Sequence, residues 1–244
     1  MDKTAVIIGA GSGLGYALAK KFRNEGFKVV LAARNEQSLK DMAHHLGENV
    51  FYRTADASDT AYLKKAIEGI KEEYGAPEIV IYNVGITTPD DEKLTAETLV
   101  DHFKADVAGA YTTAATFTDE KFAEKKGAII FTGGGLAMYP ADGFIPLSID
   151  KAALRSLAYI LHNKYKDSGI FVGIVEVCGS INASPYFSAH NIAEAYWRMY
   201  LDRDKCEYAY ETPELTSQNN EYGKFENGSD SYWGEVYKFI GEEK

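Results

Sequence analysis

Near the N-terminus four glycines fall within seven residues, Gly9-Ala10-Gly11-Ser12-Gly13-Leu14-Gly15. Glycine at that density is costly inside a helix or a strand, so the segment is a turn. Before it, Lys3-Thr4-Ala5-Val6-Ile7-Ile8 has the short apolar run of a strand buried on both faces. After it, Ala17, Leu18, Lys21, Phe22 and Glu25 continue at helical spacing up to Gly26, a good stop signal. A strand, a glycine turn and a helix N-terminus aim backbone N–H groups and the positive end of the helix dipole at one point, which suits a pyrophosphate. The spacing is G-x-x-x-G-x-G, at Gly9, Gly13 and Gly15. The G-x-G-x-x-G alternative fails because Leu14 stands where its third glycine would fall. The turn predicts a dinucleotide site in which Gly9, Ser12, Gly13, Leu14 and Gly15 surround the phosphates.

The remaining pattern alternates strand and helix. Strands are predicted at Lys28–Ala33, Val50–Thr54, Ile79–Asn83, Ala128–Thr132 and Phe171–Val177. Helices are predicted at Gln37–Leu46, Asp59–Tyr74, a long region from about Thr95 to Glu124, and Ile149–Asp167. Such alternation implies an α/β fold: a doubly wound parallel sheet, Rossmann-like in three αβα layers, with a ligand crevice at the carboxyl ends of the strands. No repeat or linker divides it, so residues 1–211 read as a single domain. Residues 212–244 change character. They are polar at first, then close on Trp233, Val236, Tyr237, Phe239 and Ile240, a cluster able to dock as a helix.

Composition narrows the function classes. A chain of 244 residues suits a sheet covered on both faces. A net charge of -10 argues against a nucleic-acid partner. No apolar stretch reaches the length of a membrane span, and the N-terminus lacks the character of a signal peptide. Cys178 and Cys206 are too few for a disulfide framework or a structural zinc site. A cytoplasmic protein without a metal is the expectation.

Over roughly residues 3 to 211 the chain resembles the short-chain dehydrogenase/reductase family. The glycine turn, Asp56-Ala57 after the third strand, Asn83-Val84-Gly85 after the fourth and Gly179-Ser180-Ile181 after the sixth stand in that family's order. The resemblance implies a seven-stranded sheet, a nicotinamide dinucleotide, hydride transfer to or from a carbonyl or alcohol, and homodimers or homotetramers. It also implies that Asp56 and Ala57 contact the adenine, Asn83 helps fix the central strand, Gly85 lies under a ribose, and Gly179 and Ile181 flank the nicotinamide amide. The segment from Gly133 through Arg155 is similar to an atypical branch of the family.

Cofactor choice is argued from the end of the second strand. An NAD binder places a carboxylate there for the ribose hydroxyls. Here stand Ala33, Arg34 and Asn35. A small residue removes the charge that would repel a 2′-phosphate, and the Arg34 guanidinium offers that phosphate a bidentate partner. The expected cofactor is NADP, ahead of NAD.

The catalytic half departs from the family. The resemblance implies a general-acid tyrosine four residues before a lysine, a serine that polarises the carbonyl and an asparagine that supports a water relay. Lys151 keeps its Lys-Ala-Ala-Leu context, but the tyrosine position is Leu147, the serine position falls at Gly134, and the asparagine position is Asp106. Leu has no titratable proton and Gly no hydroxyl. The remaining candidates are Ser148, three residues from Lys151 or else a helix cap; Tyr139, one of 17 tyrosines, on the loop after the fifth strand; and Thr132, a weaker hydroxyl. Asp106 and Lys151 form an ion pair toward the cofactor ribose if both point into the crevice, and are unrelated surface charges if not.

Substrate choice is assigned by the resemblance to the segment Asn182–Leu201, with Pro185, Tyr186, Phe187, His190, Tyr196 and Trp197. Its aromatic content suits an apolar or ring-bearing small molecule, but Ile192, Ala195, Tyr196 and Met199 also have the spacing of an amphipathic lid helix, and core packing fits them at least as well. Three readings stay open: an oxidoreductase with a substituted proton donor, a cofactor-binding sensor or regulatory protein without turnover, and an interaction protein that keeps only the fold.

Overall fold

The computed structural model describes residues 3–212, and the apolar cluster from Trp233 to Ile240 lies outside them. Seven strands follow in chain order: β1 Thr4–Ile8, β2 Lys28–Ala33, β3 Val50–Thr54, β4 Ile79–Tyr82, β5 Ala128–Gly134, β6 Phe171–Val177 and β7 Glu207–Tyr210. They form one parallel sheet in the order β3-β2-β1-β4-β5-β6-β7. The strand order reverses between β1 and β4, and there the carboxyl ends open into a crevice.

Because side chains alternate across a strand, a sheet buried on both faces requires unbroken apolar runs. Ala5 and Ile7 of β1 face α1 (Leu14–Asn24), α2 (Glu36–Leu46) and α8 (Ala189–Asp202). Val6 and Ile8 join the opposite core under α3 (Thr60–Tyr74), α5 (Gly109–Phe117) and α7 (Ile145–Tyr165). In register, Val6 lies between Val30 of β2 and Val80 of β4, all fully buried. Polar side chains punctuate the helices. Asn35 accepts the Ser38 N–H at 2.9 Å to start α2, and Asp59 accepts those of Ala61 and Tyr62 to start α3.

Two expected elements differ. The long region from Thr95 to Glu124 is broken into α4 (Ala96–Phe103), a π-helical turn at Lys104–Ala108, α5, and the short α6 (Glu120–Glu124). Asp119 interrupts it by capping the Phe122 N–H. The helix expected from Ile149 starts one turn earlier, at Ile145, with Pro146 in its first turn, where the missing N–H costs nothing. Ser148 is therefore inside α7 and is not its cap. Among the described residues, no helix is long and apolar enough to cross a membrane.

The turn after β1 approaches β4 closely. Gly9 has φ +85, and a Cβ there would lie 2.5 Å from the Asn83 carbonyl oxygen. Gly9→Ala combines a left-handed backbone with a backbone clash, so it is expected to cost at least about 2 kcal/mol in urea-unfolding free energy.

Candidate active site

At the switch point lies a cavity of about 740 Å³. Its walls are the glycine turn, Asn83–Gly85, Thr132–Leu136, Lys151 on α7, and Gly179–Ile181 after β6. The structure thus brings Gly9, Ser12, Gly13, Leu14, Gly15, Asn83, Gly85, Lys151, Gly179 and Ile181 together around one space. Helix α1 starts without a side-chain cap or an acidic residue in its first turn, which leaves its N-terminal amides to an anion. A Cβ built on Gly11 or Gly13 would meet nothing within 4 Å, so both open onto space that a ligand can fill. These residues fit the pyrophosphate of a dinucleotide.

The other predicted cofactor residues do not line this cavity. Arg34 is exposed just after β2, and the Asn35 side chain is taken up in capping α2. The Asp56 carboxylate accepts the Ser58 N–H at 2.9 Å and its hydroxyl at 2.7 Å. Those bonds, with the nearby Arg34 charge, hold the Asp56 carboxyl below its ordinary value. Ala57 is buried in the core under α3.

Hydrogen bonds fix the crevice from below. Asn83 donates from Nδ2 to the Gly9 carbonyl at 3.0 Å and accepts the Thr132 hydroxyl at Oδ1, also at 3.0 Å. The fully buried Tyr196 of α8 donates in turn to Thr132 Oγ1 at 2.8 Å. Tyr196 is thus spent on packing, as is Trp197 against Phe22 and Phe27. Tyr186 stacks on Tyr210 with ring centroids 4.9 Å apart, and His190 is exposed at the start of α8. Core packing, rather than a lid, is the arrangement that α8 adopts.

Lys151 is buried beneath the cavity wall, and its Nζ donates to the Thr132 carbonyl at 2.8 Å. Burial pulls its pKa down, against the opposing fields of Asp106, Glu176 and Asp150. Gly85 makes room for it: a Cβ there would lie 3.2 Å from Nζ. Asp106, on the π-helical turn, accepts the Ile86 N–H at 3.2–3.3 Å and does not line the cavity. Burial raises its pKa while Lys151 lowers it, yet no ion pair within 4.0 Å joins the two among the described residues. Leu147, one helical turn before Lys151, lines the cavity and packs with Leu136, Ala141 and Phe144. Gly134 also lines it. Ser148 turns away: its Oγ accepts the Ala141 N–H at 3.1 Å. Tyr139 stands outside the wall, half-buried, its phenol pushed up by burial and by Glu211. Neither hydroxyl reaches the cavity.

Two buried carboxyls escape the sequence reading. Glu176 of β6 is paired in register with Gly133 of β5, and its carboxyl fills the space where a Gly133 side chain would stand. Oε2 accepts the Gly134 N–H at 2.5 Å, while Oε1 has no hydrogen-bond partner among the described residues. Burial pushes this carboxyl up to about 7, opposed first by the Gly134 N–H. Asp150, also buried and with Oδ2 unpartnered, is pushed up to about 7 by burial and by Asp106. The usable signal is a single charge inside the apolar run Phe171–Val177.

Residues 3–191 match the short chain dehydrogenase family. The chain belongs to it. This is a family of NAD(P)-dependent oxidoreductases. An oxidoreductase of Sarocladium schorii is 32% identical over 178 residues, 71% of this chain and 70% of that protein. An alcohol dehydrogenase of Thermococcus sibiricus, solved with 5-hydroxy-NADP, superposes with a TM-score of 0.77 at 22% identity, over 87% of this chain and 99% of that one. The 3-ketoacyl-(acyl-carrier-protein) reductase of Brucella melitensis, solved with NADH, gives a TM-score of 0.76 at 21% identity, over 85% and 96% of the two chains. These two superpositions show the shared fold.

In this short chain dehydrogenase, Gly133 and Glu176 compete for one space. Gly133→Ala is expected to destabilise the protein in the presence of Glu176 but not beside Glu176→Ala. A double-mutant cycle on unfolding free energies should give a coupling of about 1–3 kcal/mol.

Proposed function

We propose that the chain is an NADP(H)-dependent oxidoreductase of small carbonyls or alcohols whose proton donor is not the family's tyrosine. One observation carries this reading: the phosphate turn and Lys151 share one cavity in whose wall the position one turn before Lys151 is Leu147. When bound, the reduced nicotinamide supplies a hydride. The glycine turn binds the pyrophosphate, and Gly179 and Ile181 orient the nicotinamide end. Lys151 holds a proton at Nζ beside the ribose. Leu136, Phe144, Leu147 and Pro89 exclude water from the outer part of the cavity, and this apolar wall supports an apolar or ring-bearing substrate. A second reading, a cofactor-binding sensor without turnover, is favoured by the apolar surroundings of Leu147, which offer no proton.

Arg34, with no carboxylate at the end of β2, supports a preference for the 2′-phosphate. Fluorescence titration is expected to give about tenfold tighter binding of NADPH than NADH, a difference of about 1.4 kcal/mol. Arg34→Ala should abolish that preference, and equal affinities in the wild type would refute the clamp. In a screen of carbonyls and alcohols, loss of the tyrosine predicts rates about 10²–10⁴-fold below those of a tyrosine-assisted enzyme, and Lys151→Ala should remove what remains. Turnover that survives Lys151→Ala would place the active centre elsewhere, while tight NADPH binding with no turnover would support the sensor.

The chain is also proposed to form homodimers or homotetramers. The helices within residues 95–124 and 145–165 are proposed to carry the contact: Ala105, Ala158 and Leu161 are buried there, while the exposed apolar side chains include Val100, Phe103, Tyr111, Ile149 and Ile160. Sedimentation is expected to show a dimer or larger species at micromolar concentration, and Ile149→Asp should weaken it.

A further inference from the structure

Glu176 is a fully buried carboxyl outside the lining of the cavity. Its carboxyl lies against the Gly133–Gly134 backbone that walls the cavity, and the Lys151 stem lies 3.7–3.8 Å from where a Gly134 side chain would begin. The charged groups facing Glu176 are Lys151 and Arg155 from α7 and Glu207 from β7. Tyr196 of α8, Cys178 after β6 and Cys206 before β7 also lie within its field. Arg155 is committed to Glu207, at 2.6 and 3.2 Å. Asp106 and Asp150 also act on Lys151, Asp106 more strongly than Glu176, and Asp106 accepts the Ile86 N–H. Lys151 is therefore the cation left for Glu176, whose Oε1 remains unpartnered among the described residues.

We propose that Glu176 is a positioning residue for Lys151: its carboxyl occupies the Gly133 side-chain space, anchors the Gly134 amide in the cavity wall and supplies the buried counter-charge that keeps a proton on Lys151 Nζ. This rests on the reading that the cavity holds a dinucleotide against Lys151. Burial drives Lys151 toward its neutral form, and the fields of Asp106 and then Glu176 oppose that loss. A glycine at position 133 has a physical reason here, since any side chain would displace the carboxyl.

The test is Glu176→Gln, which keeps the shape and can still accept the Gly134 N–H but carries no charge. NADPH affinity, followed by cofactor fluorescence from pH 5 to 9, should fall on the alkaline side about one pH unit lower in Glu176→Gln than in wild type. Lys151→Met should remove that limb. Superimposable wild-type and Glu176→Gln profiles would overturn the proposal. A wild type that binds no NADPH at any pH would instead overturn the cofactor reading, and thermal unfolding without cofactor then decides. A carboxyl raised from its ordinary value to about 7 contributes most to stability below that ordinary value, and its contribution is lost as pH rises through about 7. The midpoint of Glu176→Gln relative to wild type should thus rise by a few degrees between pH 5 and 8. A constant difference would overturn the buried-charge role.

Discussion

The structure depends on how closely the backbone of the first turn can approach the end of β4. Gly9 has no side chain to hold the two apart, and the Asn83 side chain then spans the gap to its carbonyl. From Asn83 the bonds run to Thr132 on β5 and to Tyr196 on α8. Four elements from different parts of the chain are thereby tied at the floor of the crevice. In a low-dielectric interior such a fully satisfied chain of bonds is rigid, and rigidity here keeps the α1 amides, Lys151 and Gly179–Ile181 aimed at one volume.

Above that floor the site is electrostatically unusual. One buried lysine faces three buried carboxyls, Asp106, Asp150 and Glu176. Burial raises all three carboxyls, with Asp106 adding to the rise at Asp150 and Glu207 to that at Glu176, while Lys151 opposes each. Two of these carboxyls, Asp150 and Glu176, are pushed up to about 7, beside a cavity wall in which Leu147 and Gly134 carry no titratable group.

The sheet was largely legible because buried parallel strands must be apolar throughout. Lys28–Ala33 and Phe171–Val177 are found with the bounds that their apolar runs predict, and Val50–Thr54 is found as expected but as a partly exposed edge strand. The glycine turn was legible for the same reason: its spacing is imposed by local backbone geometry. What escaped depends on partners distant in sequence. Ser148 reads as a cap or a nucleophile until Ala141 is seen to take its hydroxyl. The break at Asp119 is a side-chain cap inside a segment with acceptable helical periodicity. Glu176 gains its meaning from Gly133, on the neighbouring strand.

The bond from Tyr196 to Thr132 also sets an order of events. Helix α8 is nearly the last described element of the chain, yet its phenol completes the network that begins at Gly9. Contacts of such long sequence separation form late, because loop closure precedes any gain from them. A nascent chain that has made every strand through β6 therefore still has an unfinished crevice floor. Competence to hold a ligand then waits on the docking of α8.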